Sequence, residues 1–325
     1  MAKEKINPII DASFIVDNPK KIISVSPAID IGLSGKIGRG IPEGSWILLS
    51  GSEKLGKTAL SLQIATNFQQ NLNKKVYYGN VEHRIKARDL TTHNLDLSPE
   101  KLQIIQSQKG HILSAEDHLQ TYMDLLREEP NIVLIIDSGS ALCSQDEMDG
   151  GIKAAQRIQG PKLLASFCRQ MQSVVPLQDS VVIIILHVIA NTGRGMSTKY
   201  IDGGRKIKYQ ADINLEGTHF KIQSSNEDGA GYGQDVFWKV KWSALSAPGA
   251  KIQNFFRYGY GIDSERELIQ IGKSCGLILS GGAGWLTCEF AEEIPKLQGD
   301  EKLRNYLVEN PDKTKILIEK INEML

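Results

Sequence analysis

A strand, a glycine-bearing loop and a helix follow one another without a gap, and no other feature limits the fold as tightly. Trp46-Ile47-Leu48-Leu49-Ser50 reads as a buried strand. Gly51-Ser52-Glu53-Lys54-Leu55-Gly56-Lys57-Thr58 comes next and fits G-x-x-x-x-G-K-[ST] at every fixed position. Ala59 to Gln70 then carries helical periodicity. The glycines let the backbone curl so that successive N–H groups point at phosphate oxygens, and the helix adds its positive end. The segment from Gly51 through Ala59 is therefore the expected triphosphate cradle. Lys57 is expected to reach the β and γ phosphates, and the Thr58 hydroxyl to ligate Mg²⁺. ATP and Mg²⁺ are the cofactors this pattern implies.

The strand–helix alternation continues downstream. Lys75-Val76-Tyr77-Tyr78 reads as a strand, Ala115 to Arg127 as an amphipathic helix, and Ile132 to Ile136 as an apolar strand ending at Asp137. Lys162 to Val175 is helical in pattern, and Val181 to Leu186 is a further apolar strand. Strands apolar on both faces, alternating with helices, predict an α/β fold: a mostly parallel twisted sheet covered by helices on both sides. The run Val236 to Trp242 alternates in places and predicts a β extension of that sheet. Past Gly261, helical patterns over Glu265–Cys275 and Leu303–Leu325 flank a turn at Gly281 to Trp285. The expected division is an N-terminal arm over 1–35, a core over 36–262 and a small C-terminal domain over 263–325. So short an arm has too few residues to bury a core alone.

Composition narrows the partners. The 325 residues carry 38 basic and 38 acidic side chains, so no general field draws in polyanions, and any nucleic-acid contact must come from local clusters. Cys143, Cys168, Cys275 and Cys288 have no metal-ligand spacing and read as reduced thiols. No apolar run approaches the ~20 residues that cross a bilayer, and the first residues lack the apolar segment of a signal peptide. The expectation is a cytoplasmic protein with no membrane partner.

Two acidic residues complete the expected site. Asp137 stands at a strand end, where a Walker B aspartate holds Mg²⁺ through water; the plain alternative is a turn former. Glu82 follows Tyr77 and Tyr78 in Gly79-Asn80-Val81-Glu82-His83. Its strand is expected beside the strand of the glycine loop, so that the carboxylate orients the attacking water. The plain alternative is a solvated loop glutamate.

The order of motifs resembles the RecA recombinases: the glycine loop, Val-Glu-His at 81–83, Ile-Ile-Asp-Ser at 135–138, His187, and Gly203-Gly204-Arg205-Lys206-Ile207-Lys208-Tyr209. Ala247-Pro248, Tyr258-Gly259-Tyr260-Gly261-Ile262-Asp263 and Glu267 to Gly272 extend the likeness. Pro27 to Gly35 is closer to the bacteriophage UvsX branch, which suggests a phage-encoded chain. The resemblance spans about residue 23 to the C-terminus. It implies a RecA-like P-loop ATPase core with an N-terminal oligomerisation arm and a small C-terminal α/β domain. It further implies a DNA-dependent ATPase that forms a helical homo-oligomer on single-stranded DNA, with ATP between protomers. That filament would pair its strand with homologous double-stranded DNA, aided by mediator or single-strand-binding proteins.

Carried over by position, Glu82 becomes the water-activating residue, with Lys57 and His187 beside it, and Asp137 with Ser138 the Walker B pair. The first DNA-binding loop would span about Asp146 to Pro161, with Lys153 and Arg157. The second would span about Val188 to Gly204, with Asn191, Arg194, Met196 and Lys199. Arg205, Lys206 and Lys208 follow it. The basic groups neutralise phosphates, and Ile152 or Met196 would wedge between bases.

The chain also departs from the RecA pattern. His187 stands where RecA carries a glutamine that senses the γ-phosphate, and is read as a modified sensor. The two lysines that RecA sends to a neighbour's nucleotide have as nearest counterparts Lys239 and Lys241. No aromatic ring lies between Arg84 and His93 to stack on adenine, which leaves Arg88 as the substitute. Two other readings stand beside the recombinase. One is a RecA-fold regulator or loader without strand exchange of its own; the other, a hexameric helicase, lacks a linker domain.

Overall fold

The computed structural model describes residues 9–154, 159–190, 199–201, 205–224, 231–245 and 247–325. The main sheet is built from β1 (Trp46–Gly51), β2 (Lys75–Asn80), β3 (Leu102–Ile105), β4 (Ile132–Asp137) and β5 (Val181–Ala190). It continues through β6 (Ile213–Ser224), β7 (Gly231–Ser243), β8 (Lys251–Arg257) and β9 (Gly261–Ile262). Among the described residues the order across the sheet is β3-β2-β4-β5-β1-β6-β7-β8-β9. The strands from β3 to β6 run parallel, and β7, β8 and β9 are added antiparallel. The predicted β extension is thus β7, joined to β6 with register shifts near Trp238 and Trp242.

One expectation fails here. β2 does not lie beside β1: it sits between β3 and β4, and β5 and β4 separate it from the P-loop strand. An apolar run specifies that a strand is buried on both faces. It does not specify its neighbours, because β4 and β5 arrive later in the chain and insert between β1 and β2.

Each face of the sheet has its own helical cover. On one, Ile47, Leu49, Val133, Ile135 and Ile183 pack against Leu60, Ile64 and Phe68 of α2 (Lys57–Leu72), with Ile29 and Leu33 of α1 (Pro27–Ser34) beside them. On the other, Leu48, Leu134, Ile136 and Ile184 meet Leu119, Tyr122 and Leu126 of α3 (Ala115–Glu128). Leu164, Phe167 and Met171 of α4 (Gly160–Met171) complete that layer. The period-2 alternation along each strand divides its side chains between the two layers.

The N-terminal segment divides at about residue 21. The helix Ala12–Asp17 buries no side chain, whereas Ile23, Val25, Ile29 and Leu33 belong to the main core. Pro27 to Ser34, expected within an arm over 1–35, belongs with the core instead, because it is an apolar-faced helix that the sheet needs as cover. Its Asp30 is wholly buried and accepts hydrogen bonds from Val25 N and Gly38 N, both at 2.8 Å, and from Ser24 Oγ.

At the opposite end of the chain, α5 (Ser264–Ser274), α6 (Asp300–Glu309) and α7 (Pro311–Met324) surround a three-stranded antiparallel sheet, with Leu268, Ile278, Leu303 and Leu317 in their own core. Glu267 of α5 is buried against the main body. It accepts from Ala28 N at 3.0 Å and from Asn254 Nδ2 at 2.7 Å, joining α5, α1 and β8.

Beneath the sheet, a single buried ammonium gathers four strand approaches. Lys74 Nζ, next to β2, donates to Glu43 before β1, to Asn131 before β4 and to Asp179 O before β5. The four cysteines are free thiols, and no helix among the described residues is long and apolar enough to cross a membrane.

Candidate nucleotide site

The loop between β1 and α2 bends where its sequence allows. Gly56 adopts φ +74° and Gly51 φ +156°, conformations that L side chains rarely adopt. A methyl group on Gly51 would also meet Leu55 Cδ1 at 2.8 Å and Gly217 O at 3.1 Å. Lys57, the first residue of α2, donates to Gly51 O at 3.0 Å and Ser52 O at 2.7 Å. Burial lowers its pKa, and the carboxylates of Asp137, Glu82 and Glu53 oppose that effect.

Thr58 Oγ1 donates to Asp137 Oδ2 at 2.7 Å, and Tyr78 Oη donates to the same oxygen at 2.6 Å. Burial holds the Asp137 carboxyl above its ordinary range, with the two hydroxyls working against it. A hydroxyl and a carboxylate meeting beside a phosphate cradle suit Mg²⁺, a hard cation that takes its other ligands from phosphate and water. Thr58 and Asp137 would hold that ion, which when bound draws charge from the phosphate oxygens.

Glu82 reaches this site from β2, which two strands separate from β1. Asn80 pairs in register with Asp137, and Val81 N donates to Asp137 O at 3.0 Å, so the chain leaving β2 turns across the end of β4. Glu82 Oε1 then accepts from Ser138 Oγ and from His187 Nε2, the latter at 2.8 Å, while Arg84 lies 3.1 Å from Oε2. Burial would raise the Glu82 pKa; these hydrogen bonds and the Arg84 charge outweigh it and hold the carboxyl below its ordinary range. His187 lies opposite Gly51 in the β1–β5 register, and its backbone N–H donates to Ser140 Oγ at 2.9 Å. Glu82, Lys57, His187, Thr58 and Asp137 therefore converge.

They line a pocket of about 830 Å³, together with Glu53, Lys54, Leu55 and Ala59. Arg88, Asp89 and His93 line it as well, as do Tyr258, Gly259 and Gly261. Arg88 is thus at the pocket. Three contributors escaped the sequence reading. Tyr78 is an ordinary core tyrosine until β2 and β4 are paired. Gln234 Nε2 donates to Lys54 O at 3.3 Å and its Oε1 accepts from Tyr258 Oη at 3.3 Å, a contact made by β7 and β8. Tyr258 also lines the pocket with an aromatic ring, a side-chain type that the 84–93 segment does not contain.

The expected DNA-contacting segments leave the C-terminal ends of β4 and β5, on the rim that carries the P-loop. Lys153 belongs to the helix Gln145–Ala154, Lys199 to the strand Lys199–Ile201, and Arg205, Lys206 and Lys208 to the helix Arg205–Lys208. Arg157, Asn191, Arg194 and Met196 lie outside the described residues. The first segment is not a continuous loop. Ser144 and Glu147 cap its helix reciprocally, with Glu147 N donating to Ser144 Oγ at 3.3 Å and Ser144 N to Glu147 Oε2 at 2.9 Å. Lys199–Ile201 folds back antiparallel on Val188–Ala190. Lys239 is exposed on β7, and Lys241 pairs with Glu216 at 3.0 Å; neither lines the pocket of its own chain.

Ligand sites outside the carboxyl ends of parallel strands, a curled amide-lined loop and a hydroxyl–carboxylate pair together define a P-loop nucleoside triphosphatase. A family model for the RecA N-terminal domain matches residues 13–263. RecA of Streptomyces ambofaciens is 27% identical over 311 residues, covering 95% of this chain and 80% of that protein. RecA of Mycobacteroides abscessus is 27% identical over 311 residues, covering 95% and 86%. RecA of Oleidesulfovibrio alaskensis is 27% identical over 315 residues, covering 95% and 85%. The chain belongs to the RecA family, and is accordingly a DNA-dependent ATPase and recombinase.

Proposed function

We propose that the chain binds Mg-ATP between neighbouring copies of itself, polymerises on single-stranded DNA and pairs that strand with homologous duplex. The Glu82–His187 hydrogen bond carries this reading. It joins the carboxylate that orients the attacking water to the strand from which the second DNA-contacting segment leaves. A shift at β5 on DNA binding would release Glu82 toward the γ-phosphate, which is how DNA would license hydrolysis.

In this reading the backbone of Gly51 to Ala59 and the Lys57 ammonium bind the phosphates, and Thr58 and Asp137 hold Mg²⁺. Lys153, Arg157, Arg194, Lys199, Arg205, Lys206 and Lys208 neutralise DNA phosphates. Lys239 and Lys241, turned away from their own pocket, reach a neighbour's nucleotide. The arm ahead of residue 21 docks on the next protomer, the core runs to about 262, and 263–325 forms the C-terminal domain. The Pro27–Gly35 motif supports an affinity with the UvsX branch.

The test is electron microscopy with single-stranded DNA and a slowly hydrolysed ATP analogue, paired with a joint-molecule assay. Filaments and joint molecules are expected. A chain that binds ATP yet forms no joint molecule alone is instead a regulator or loader. One that stays monomeric with both ligands present refutes the filament.

A further inference from the structure

The lining of the pocket contains a histidine whose tautomer is dictated from a distance. Asn67 Nδ2 donates to two backbone carbonyls, Ser24 O at 2.8 Å and Val25 O at 3.0 Å. Carbonyl oxygens only accept, so the Asn67 amide has one allowed orientation, with Oδ1 turned the other way. Gln63 Nε2 donates to that Oδ1 at 2.8 Å. The Gln63 orientation is thereby set too, and its Oε1 faces His93 Nδ1 at 3.4 Å. An acceptor opposite Nδ1 calls for the proton there. His93 stays neutral because burial pushes its pKa down to about 4. Nε2 is consequently a bare acceptor. Among the described residues it has no protein partner, and His93 lines both the nucleotide pocket and a second cavity beside it.

The position of this acceptor decides what it meets. Gln63 lies six residues beyond Lys57 on α2, about 9 Å further from the phosphate cradle. His93, its partner, lines the same pocket as the cradle, away from the residues that would hold the phosphates. Gly261 leaves room for the contact between Gln63 and His93. A methyl group there would stand 3.0 Å from His93 Nδ1 and 3.2 Å from Gln63 Oε1, on a backbone with φ +99°.

We infer that His93 is the residue that reads the purine 6-position: its Nε2 accepts from a 6-amino group and repels a 6-oxo group. The chain of Ser24 and Val25 carbonyls, Asn67 and Gln63 is what keeps Nε2 an acceptor. This rests on the nucleotide reading above and adds a base preference to it. Adenine presents a donor at that position, and hypoxanthine or guanine an acceptor. A mispaired acceptor couple costs the complex its hydrogen bond and the desolvation of both groups.

The experiment compares ATP with ITP, which differ chiefly at that edge of the ring, by displacement of a fluorescent nucleotide with Mg²⁺ present. The wild-type chain is expected to prefer ATP by about tenfold or more. His93→Leu should bring the ratio near one, chiefly by weakening ATP. Gln63→Leu, which leaves His93 in position but frees its tautomer, should lower the ratio part of the way. It decides the matter should His93→Leu fail to fold. An unchanged ratio in the folded variants overturns the inference while leaving nucleotide binding intact. A wild-type chain that binds neither triphosphate overturns the nucleotide reading itself.

Discussion

His187 Nε2 lies 2.8 Å from Glu82 Oε1, across 105 residues of sequence. The imidazole makes this bond through Nε2, while its Nδ1 is buried and unpartnered among the described residues. Glu82 is thus held by a side chain on β5, and its freedom to meet water depends on what happens to that strand.

Glu82→Gln should retain ATP affinity and lower turnover by roughly 100-fold or more, since the amide cannot take a proton from water. Phosphate release with single-stranded DNA measures it. His187→Gln, which keeps a donor, should retain DNA-stimulated hydrolysis, and His187→Ala should lose the stimulation. Normal turnover in Glu82→Gln would reject its assignment as the water-orienting group.

Lys57→Ala should abolish nucleotide binding, read by the same fluorescent analogue. Tyr78→Phe should act more narrowly. It removes the 2.6 Å bond that orients Asp137, so the Mg²⁺ concentration for half-maximal hydrolysis should rise by about tenfold, with the fold unchanged. An unaltered Mg²⁺ dependence means that Tyr78 only packs.

Burial pushes the Glu267 carboxyl up from 4.5 to about 7. A raised acid pKa stabilises the fold fully below the unfolded value, and that contribution is lost as pH climbs through about 7. Glu267→Gln keeps a neutral side chain at every pH. Its stability relative to wild type should therefore improve between pH 5 and pH 8, by up to about 3 kcal/mol in urea unfolding. A difference between the two proteins that stays flat with pH would refute the shift.

Ile9 and Ile10, and Phe14, Ile15 and Val16 on the helix that follows them, are all exposed, although clustered apolar side chains ordinarily find cover. Deleting residues 1–18 should leave the thermal midpoint nearly unchanged and abolish filaments in negative stain. Persistent filaments would remove the arm from the assembly contact.

The strands, the P-loop and the Asp137 position were legible because each is written in consecutive residues with a fixed period or spacing. Adjacency was not. The location of β2 depends on where later strands insert, and nothing between Lys75 and Asn80 encodes that. Glu82 reached the expected site by a different route, across the end of β4. Tyr78, Gln234 and His93 were missed for a related reason: their roles arise from partners 59, 180 and 30 residues away. The Ser144–Glu147 cap is legible as Ser-x-x-Glu, and it starts a helix inside the segment that the family resemblance implies is a loop.

Lys74 gives the molecule a fixed floor. Since one ammonium is shared by the approaches to β1, β2, β4 and β5, those strands cannot slide past one another at that edge without stranding a charge away from water. Displacement provoked by ligand exchange is left to the opposite edge, where Gly51, Glu82, Asp137 and His187 end their strands. With the strands tied at that floor, a difference of one phosphate would be felt as a change of tilt in the segments proposed to meet DNA.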